Sequence, residues 1–244
     1  MNLIRLIILY LFISSQVQAN TIYNLIKIPN LEIYEINNSN KLRYLYAKQP
    51  FTIGVDNNIN CYNSEKKDLD QKYKIIQRNL NKYNQQFLKK INLKYIVLCQ
   101  NLSISGILTA GIPDHKMKTL IIDIKFNSEH FERVIHHEVF HIINDGYKNY
   151  FDKNEWSKLN DVNFQYAACS TCTDKTGLYV YKEFNGFFTE YSKSTASEDM
   201  AEVYSHIISD KNIVEFKTNK DPILKKKVEF IKKNILKIDK NFKF

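Results

Sequence analysis

The feature that most restricts this chain is the stretch "VIHHEVFHII" at 134–143, which sets three imidazoles and a carboxylate inside an apolar run. From Ser128 to about Asn144 the apolar residues Phe131, Val134, Ile135, Val139, Ile142 and Ile143 recur at helical spacing. Ser128 stands where a cap belongs, and Asp145-Gly146 supplies a stop. So much apolar surface implies a largely buried helix. His137 and His141 are four residues apart and project from one face of it. Histidine is scarce, six in 244 residues, so three within six positions need either a chemical cause or hydrogen-bonding partners in a core.

The segments around this helix indicate what it packs on. The stretches 31–36, 41–47 and 51–56 are rich in β-formers and separated by Asn- or Pro-containing turns, so they read as strands. Between 64 and 90, Leu69, Tyr73, Ile76, Leu80, Tyr83 and Phe87 mark one face of a single long amphipathic helix. Three more strands follow at 93–99, 106–111 and 119–125, with Gly-Ile-Pro-Asp as a turn between the last two. Downstream, "EYSKSTASEDMAEVYSHII" (190–208) is helical from about Ser197, which can cap it. A last helix starts with Asp221 as cap and Pro222 in its first position. The expected fold class is α+β: a mixed twisted sheet, then the histidine helix, then a glutamate-bearing helix.

Composition narrows the partners. The formal charge of +9 comes from 31 Lys and only 4 Arg, scattered along the chain without a clustered stripe. That pattern does not point to nucleic acid, where clustered arginine would give defined phosphate geometry. The first residues, "MNLIRLIILYLFISSQVQAN", carry one Arg, a short apolar stretch and a small-residue site, the layout of a signal peptide cleaved after Ala19. Residues 1–19 are thus expected to be removed, leaving 20–244 as one domain, secreted or periplasmic, monomeric and without a stable membrane anchor. Export permits disulfides, and Cys61, Cys99, Cys169 and Cys172 allow three pairings, which the sequence leaves open.

H-E-x-x-H on a helix has a mechanical meaning: two imidazoles one turn apart can grip one zinc ion, with the glutamate beside the metal-bound water. A third ligand is then required. Glu198 and Glu202, four apart on the downstream helix, are the candidates, one binding the metal and the other buttressing a ligand imidazole. As plain surface acids they would also be favoured near a helix N-terminus.

These residues carry a resemblance. H-E-x-x-H followed tens of residues later by a glutamate on a second helix resembles the gluzincin branch of zinc metallopeptidases. "YSKSTASEDMAE" is similar to the anthrax lethal factor-like peptidases and the secreted Pro-Pro endopeptidases. "GFFTEY" and "EDMAE" resemble bacterial secreted zinc peptidases. The likeness covers about 128–206 and departs from the lethal factor-like group at Phe140, where that group usually has glycine. It implies a zincin-like fold with zinc on His137, His141 and Glu198. It further implies Glu138 as general base, Tyr191 as catalytic tyrosine, Glu202 behind a ligand imidazole, and a peptide or protein substrate. The alternative is a zincin-fold envelope or surface binding protein without turnover, to which a glutamate beside the metal would be of no use. Of the other histidines, His136 points away from the ligand face and is expected to be structural. His130 could line the cleft, His115 lies in a turn, and His206 follows Glu202 by one turn.

Overall fold

The structure, a computed structural model, describes residues 30–244. The expected signal peptide, 1–19, lies outside the described residues. Eight strands come first: β1 (Leu31–Glu35), β2 (Arg43–Ala47), β3 (Phe51–Ile53), β4 (Ile59–Tyr62), β5 (Tyr95–Ile104), β6 (Ile107–Leu108), β7 (Gly111–Asp114) and β8 (Thr119–Asp123). Two helices, α1 (Lys66–Leu80) and α2 (Gln85–Lys90), stand between β4 and β5. The remaining helices follow the sheet: α3 (Phe131–Gly146), α4 (Lys153–Ser157), α5 (Ala196–Ser209), α6 (Lys211–Thr218) and α7 (Pro222–Ile238).

The long strand β5 organises a mixed, curled sheet. Its first half pairs in parallel with β2 on one side and β8 on the other, while its second half pairs antiparallel with β4 and β6. β1 and β7 close the two ends of the β2–β5–β8 half by antiparallel pairing. Period-two alternation splits the strand residues between two cores. Ile96, Leu98, Leu120 and Ile122 face the large core under α1, α3, α5 and α7. Val97, Cys99 and Ile121 face a smaller cluster with Phe51, Ile53 and Ile59 on the curled side. The fold is therefore α+β, with all its helical mass after α2 laid against one face of the sheet.

Several expectations are corrected. The single helix over 64–90 is two, because Asn81 ends α1 and Asn84 caps α2 by accepting the Phe87 N–H at 2.8 Å. Gly-Ile-Pro-Asp is not a turn but the edge strand β7, where the missing N–H of Pro113 is tolerated. The turn falls at 115–118 instead. Ser128 does not cap α3, which opens after His130, and Thr195 rather than Ser197 caps α5. Asp221 does cap α7, accepting from Leu224 N–H at 2.9 Å. The open cysteine pairing resolves into Cys61–Cys99, joining β4 to β5, and the local Cys169–Cys172. Among the described residues no helix is long and apolar enough to cross a membrane.

Candidate metal centre

Helices α3 and α5 pack against each other, and that contact brings two distant polar segments together. On α3, the face holding Ile135, Val139, Ile142 and Ile143 enters the core, which fixes the rotation of the helix. His137 and His141 then face α5. On α5, Thr195 accepts the Glu198 N–H at 3.2 Å and sets Glu198 in the first turn, where the exposed helix N–H groups favour a carboxylate.

Three acceptor atoms converge there. His137 Nε2 lies 2.9 Å from Glu198 Oε2, His141 Nε2 lies 3.2 Å from the same oxygen, and the two Nε2 atoms are 3.1 Å apart. His137 Nδ1 lies 2.9 Å from Glu202 Oε1 and, as the donor to a carboxylate, leaves Nε2 with a lone pair. Bare acceptors at this spacing repel each other unless a cation stands among them. Tetrahedral zinc with bonds of 2.0–2.1 Å would place its ligand atoms about 3.3 Å apart, close to the observed separations. The donor set, two imidazoles and one carboxylate, fits zinc and leaves a fourth position open. Burial opposes charge on His137, but its bonds to Glu198 and Glu202 override it and lift its pKa to about 10. The same two imidazoles override burial at Glu198 and hold its carboxyl well below the usual range.

Glu202 is placed differently. Both its oxygens accept from Arg133, Oε1 also takes the His137 Nδ1–H, and Oε2 takes the Thr189 hydroxyl at 2.7 Å. Burial opposes its ionisation, yet the Arg133 charge and the His137 bond keep it ionised. Of the two acids, Glu198 thus points an oxygen at both Nε2 atoms, while Glu202 grips the back of His137. Tyr191 lies in a one-turn 3₁₀ helix ahead of α5, its ring centre 5.8 Å from that of His137. Burial and the nearby charges of Glu198 and Glu138 hold its hydroxyl protonated. Glu138 is 8% exposed and lines the same cleft, of about 1040 Å³, as His137, His141, Tyr191 and Glu198.

The remaining histidines stand apart from this centre. His136 is buried, donating from Nε2 to Asn79 Oδ1 at 3.0 Å and accepting the Tyr83 hydroxyl at Nδ1, 2.6 Å. His130 packs edge-on against Tyr179 and does not line the cleft. His115 lies over Gly146, and His206 stacks on Phe188 while bonding the Glu202 carbonyl at 2.8 Å. The sequence reasoning missed Arg133, Thr189 and a buried hub beside Glu198. In that hub Asp199 Oδ2 accepts from Lys227, Trp156 and Tyr166. It also missed Gly111, whose backbone abuts the Glu138 side chain. Only Arg133, one helical turn before His137, left a local signal.

With this geometry in place, comparison with known proteins is decisive at the family level. The profile of the family described as "Putative zinc-binding metallo-peptidase" matches residues 71–239. The chain belongs to that family. Membership makes zinc the cofactor, in agreement with the His137–His141–Glu198 group, and places the chain among the metallopeptidases. A crystal structure of a putative zinc-binding metallo-peptidase from Bacteroides caccae is similar over 70% of this chain and 69% of that one. The two share 21% identity, with a TM-score of 0.44. No curated protein matches the chain.

Proposed function

We propose that this family member is an exported zinc-dependent endopeptidase of zincin-like fold, its mature chain beginning at residue 20. The observation that carries the reading is the meeting of His137, His141 and Glu198 with the free carboxylate of Glu138 in one cleft. His137, His141 and Glu198 would hold the ion. When bound, zinc lowers the pKa of a coordinated water and polarises the scissile carbonyl. Glu138, its carboxyl pushed above the ordinary value by burial, accepts the proton of the attacking water and returns it to the leaving amine. Tyr191 keeps its proton and donates a hydrogen bond to the carbonyl oxygen as negative charge grows there. Arg133 and Thr189 hold Glu202, which in turn orients His137.

The seven-residue step from Tyr191 to Glu198, with Glu202 four further on, supports a kinship with the lethal factor-like and Pro-Pro endopeptidases. The apolar leader at 1–19 and the two disulfides support export to an oxidising compartment, secreted or periplasmic. A binding protein without turnover has no use for a carboxylate buried in the cleft wall beside the metal group. Peptide hydrolysis by the zinc-loaded protein, measured beside Glu138→Ala, tests the reading. Turnover is expected to vanish in the variant while one zinc per chain remains; retained turnover would remove Glu138 from the chemistry.

A further inference from the structure

Part of the cleft wall comes from the stretch between α4 and the 3₁₀ turn of Tyr191, which contains neither helix nor strand. Two feet pin the middle of that stretch. At the first, Ala167 donates its N–H to the Ser194 carbonyl at 2.9 Å; at the second, the Gly177 carbonyl accepts the Tyr191 N–H at 3.0 Å. Gly177 also donates to the Glu190 carboxylate at 3.1 Å, an approach so close that a Cβ there would stand 2.7 Å from the same oxygen. One residue on, the Leu178 carbonyl accepts at 2.9 Å from Arg133, the arginine that holds Glu202. The feet therefore rest on the segment that carries Tyr191 and on the groups behind His137.

Between the feet, residues 168–176 are bonded only to themselves. Among the described residues every hydrogen bond of this stretch stays within it, as between the Thr176 N–H and the Asp174 carbonyl and between the Lys175 N–H and the Thr173 hydroxyl. The Cys169–Cys172 disulfide closes a four-residue ring there. Ser170 and Thr171, inside the ring, line the same cleft as His141, Glu198 and Tyr191. Their hydroxyls can both donate and accept, which suits the N–H and C=O groups of a peptide. A loop without outside bonds is costly to order when a ligand arrives, and a covalent ring meets part of that cost in advance.

The two disulfides differ in access. Cys61 and Cys99 are 1% and 0% exposed in the smaller core, whereas Cys172 is exposed and Cys169 half-buried. A thiol reagent therefore meets the Cys169–Cys172 bond first. We propose that residues 168–176 form a substrate flap switched by the redox state of Cys169 and Cys172, the disulfide form binding peptide firmly and the dithiol form weakly. The inference rests on the peptidase reading. In the switch a dithiol reductant supplies two electrons and two protons: the S–S bond breaks, two thiols form, and the reductant closes to its own disulfide. The feet hold by hydrogen bonds that involve no sulfur, so Tyr191 keeps its place in both forms. The difference then falls on substrate binding and not on turnover.

The test is kcat and KM on a fluorogenic peptide, with zinc content and Tm, for three zinc-loaded proteins: the wild type, the wild type reduced with dithiothreitol and desalted, and Cys169→Ser/Cys172→Ser. Mass spectrometry of the untreated wild type should show Cys169 joined to Cys172. KM is expected to rise by about tenfold in the reduced protein and in the variant, with kcat within twofold and zinc and Tm kept. Reoxidation should restore the wild type, and dithiothreitol should leave the variant unchanged. An unchanged or lowered KM, a fall in kcat alone, a loss of zinc, a variant that still responds to the reductant, or free thiols in the untreated protein overturns the inference and leaves the peptidase standing. Failure of the untreated wild type to cut any peptide overturns the peptidase reading, and the inference with it.

Discussion

Gly111→Ala changes one hydrogen into a methyl group and is expected to disable the site without emptying it. A Cβ at this position would stand 2.7 Å from Glu138 Cγ, 3.0 Å from its Cδ and 3.1 Å from the Ile121 carbonyl oxygen. Carbon atoms rest at about 3.5–4.0 Å, so Glu138 must retreat by roughly 0.8 Å or more, because the backbone of β8 cannot. A displacement near 1 Å of a catalytic group costs about 10²-fold in rate. The overpacking itself costs about 1–3 kcal/mol. Gly111 does not have a left-handed φ, so alanine adds no backbone strain. The atoms nearest the new methyl group belong to Glu138 and Ile121 rather than to His137, His141 or Glu198, so zinc should stay. The assay is kcat/KM on a fluorogenic peptide together with zinc content and Tm: a loss of about 100-fold is expected with one zinc per chain retained. Activity within twofold of wild type would refute the placement of Glu138 by this strand. A loss of activity matched by an equal loss of zinc would mean that the effect runs through the metal group instead.

Three further outcomes follow from the same geometry. Glu198→Ala should lose most of its zinc, whereas Glu202→Ala should bind it about 10–100-fold more weakly but measurably by competition with a chelating dye; the reverse order would exchange the two roles. Tyr191→Phe keeps the ring beside His137 and removes one donor, so kcat should fall about 10²–10³-fold with KM, zinc and Tm nearly unchanged, and full activity would remove the tyrosine from the chemistry. His206 is buried and neutral, its pKa pushed by burial to about 4 against 6.5 unfolded. A lowered folded pKa means that the unfolded chain takes the proton first, so stability is full above pH 6.5 and is lost as pH falls toward 4. Across pH 6.5 to 4.5 that loss is about 2–3 kcal/mol, and His206→Phe, which keeps the stack on Phe188, should show a correspondingly shallower acid loss in denaturant titrations; equal slopes would refute it.

What was legible in the sequence was what is local. His137, Glu138 and His141 lie within one helical turn, and the periodicity around them marks a buried helix without reference to any partner. Tyr191, Glu198 and Glu202 are likewise ordered by spacing along one segment. Pairing His137 with acids 61 and 65 residues away took the chemistry of a zinc site, which demands a third ligand. Arg133 could not be assigned in the same way, because its partner lies 69 residues on and an arginine on a helix has many uses. Gly111 looked like part of a turn, and only the approach of β7 to Glu138 shows why no side chain fits there. The same blindness to context merged α1 with α2, since Tyr83 and Phe87 keep the helical spacing across a break made by Asn81 and Asn84. Strand β4, short and carrying Asn60, has no alternation long enough to notice and is held by pairing with β3 and β5.

Zinc on His137, His141 and Glu198 is tested most directly by diffraction from crystals of the zinc-loaded protein, with anomalous differences recorded on both sides of the zinc absorption edge. One peak is expected, about 2.0–2.2 Å from His137 Nε2, His141 Nε2 and a Glu198 carboxylate oxygen, with Glu202 still on His137 Nδ1. A peak coordinated by Glu202 in place of Glu198, or none between the two histidines, would contradict it.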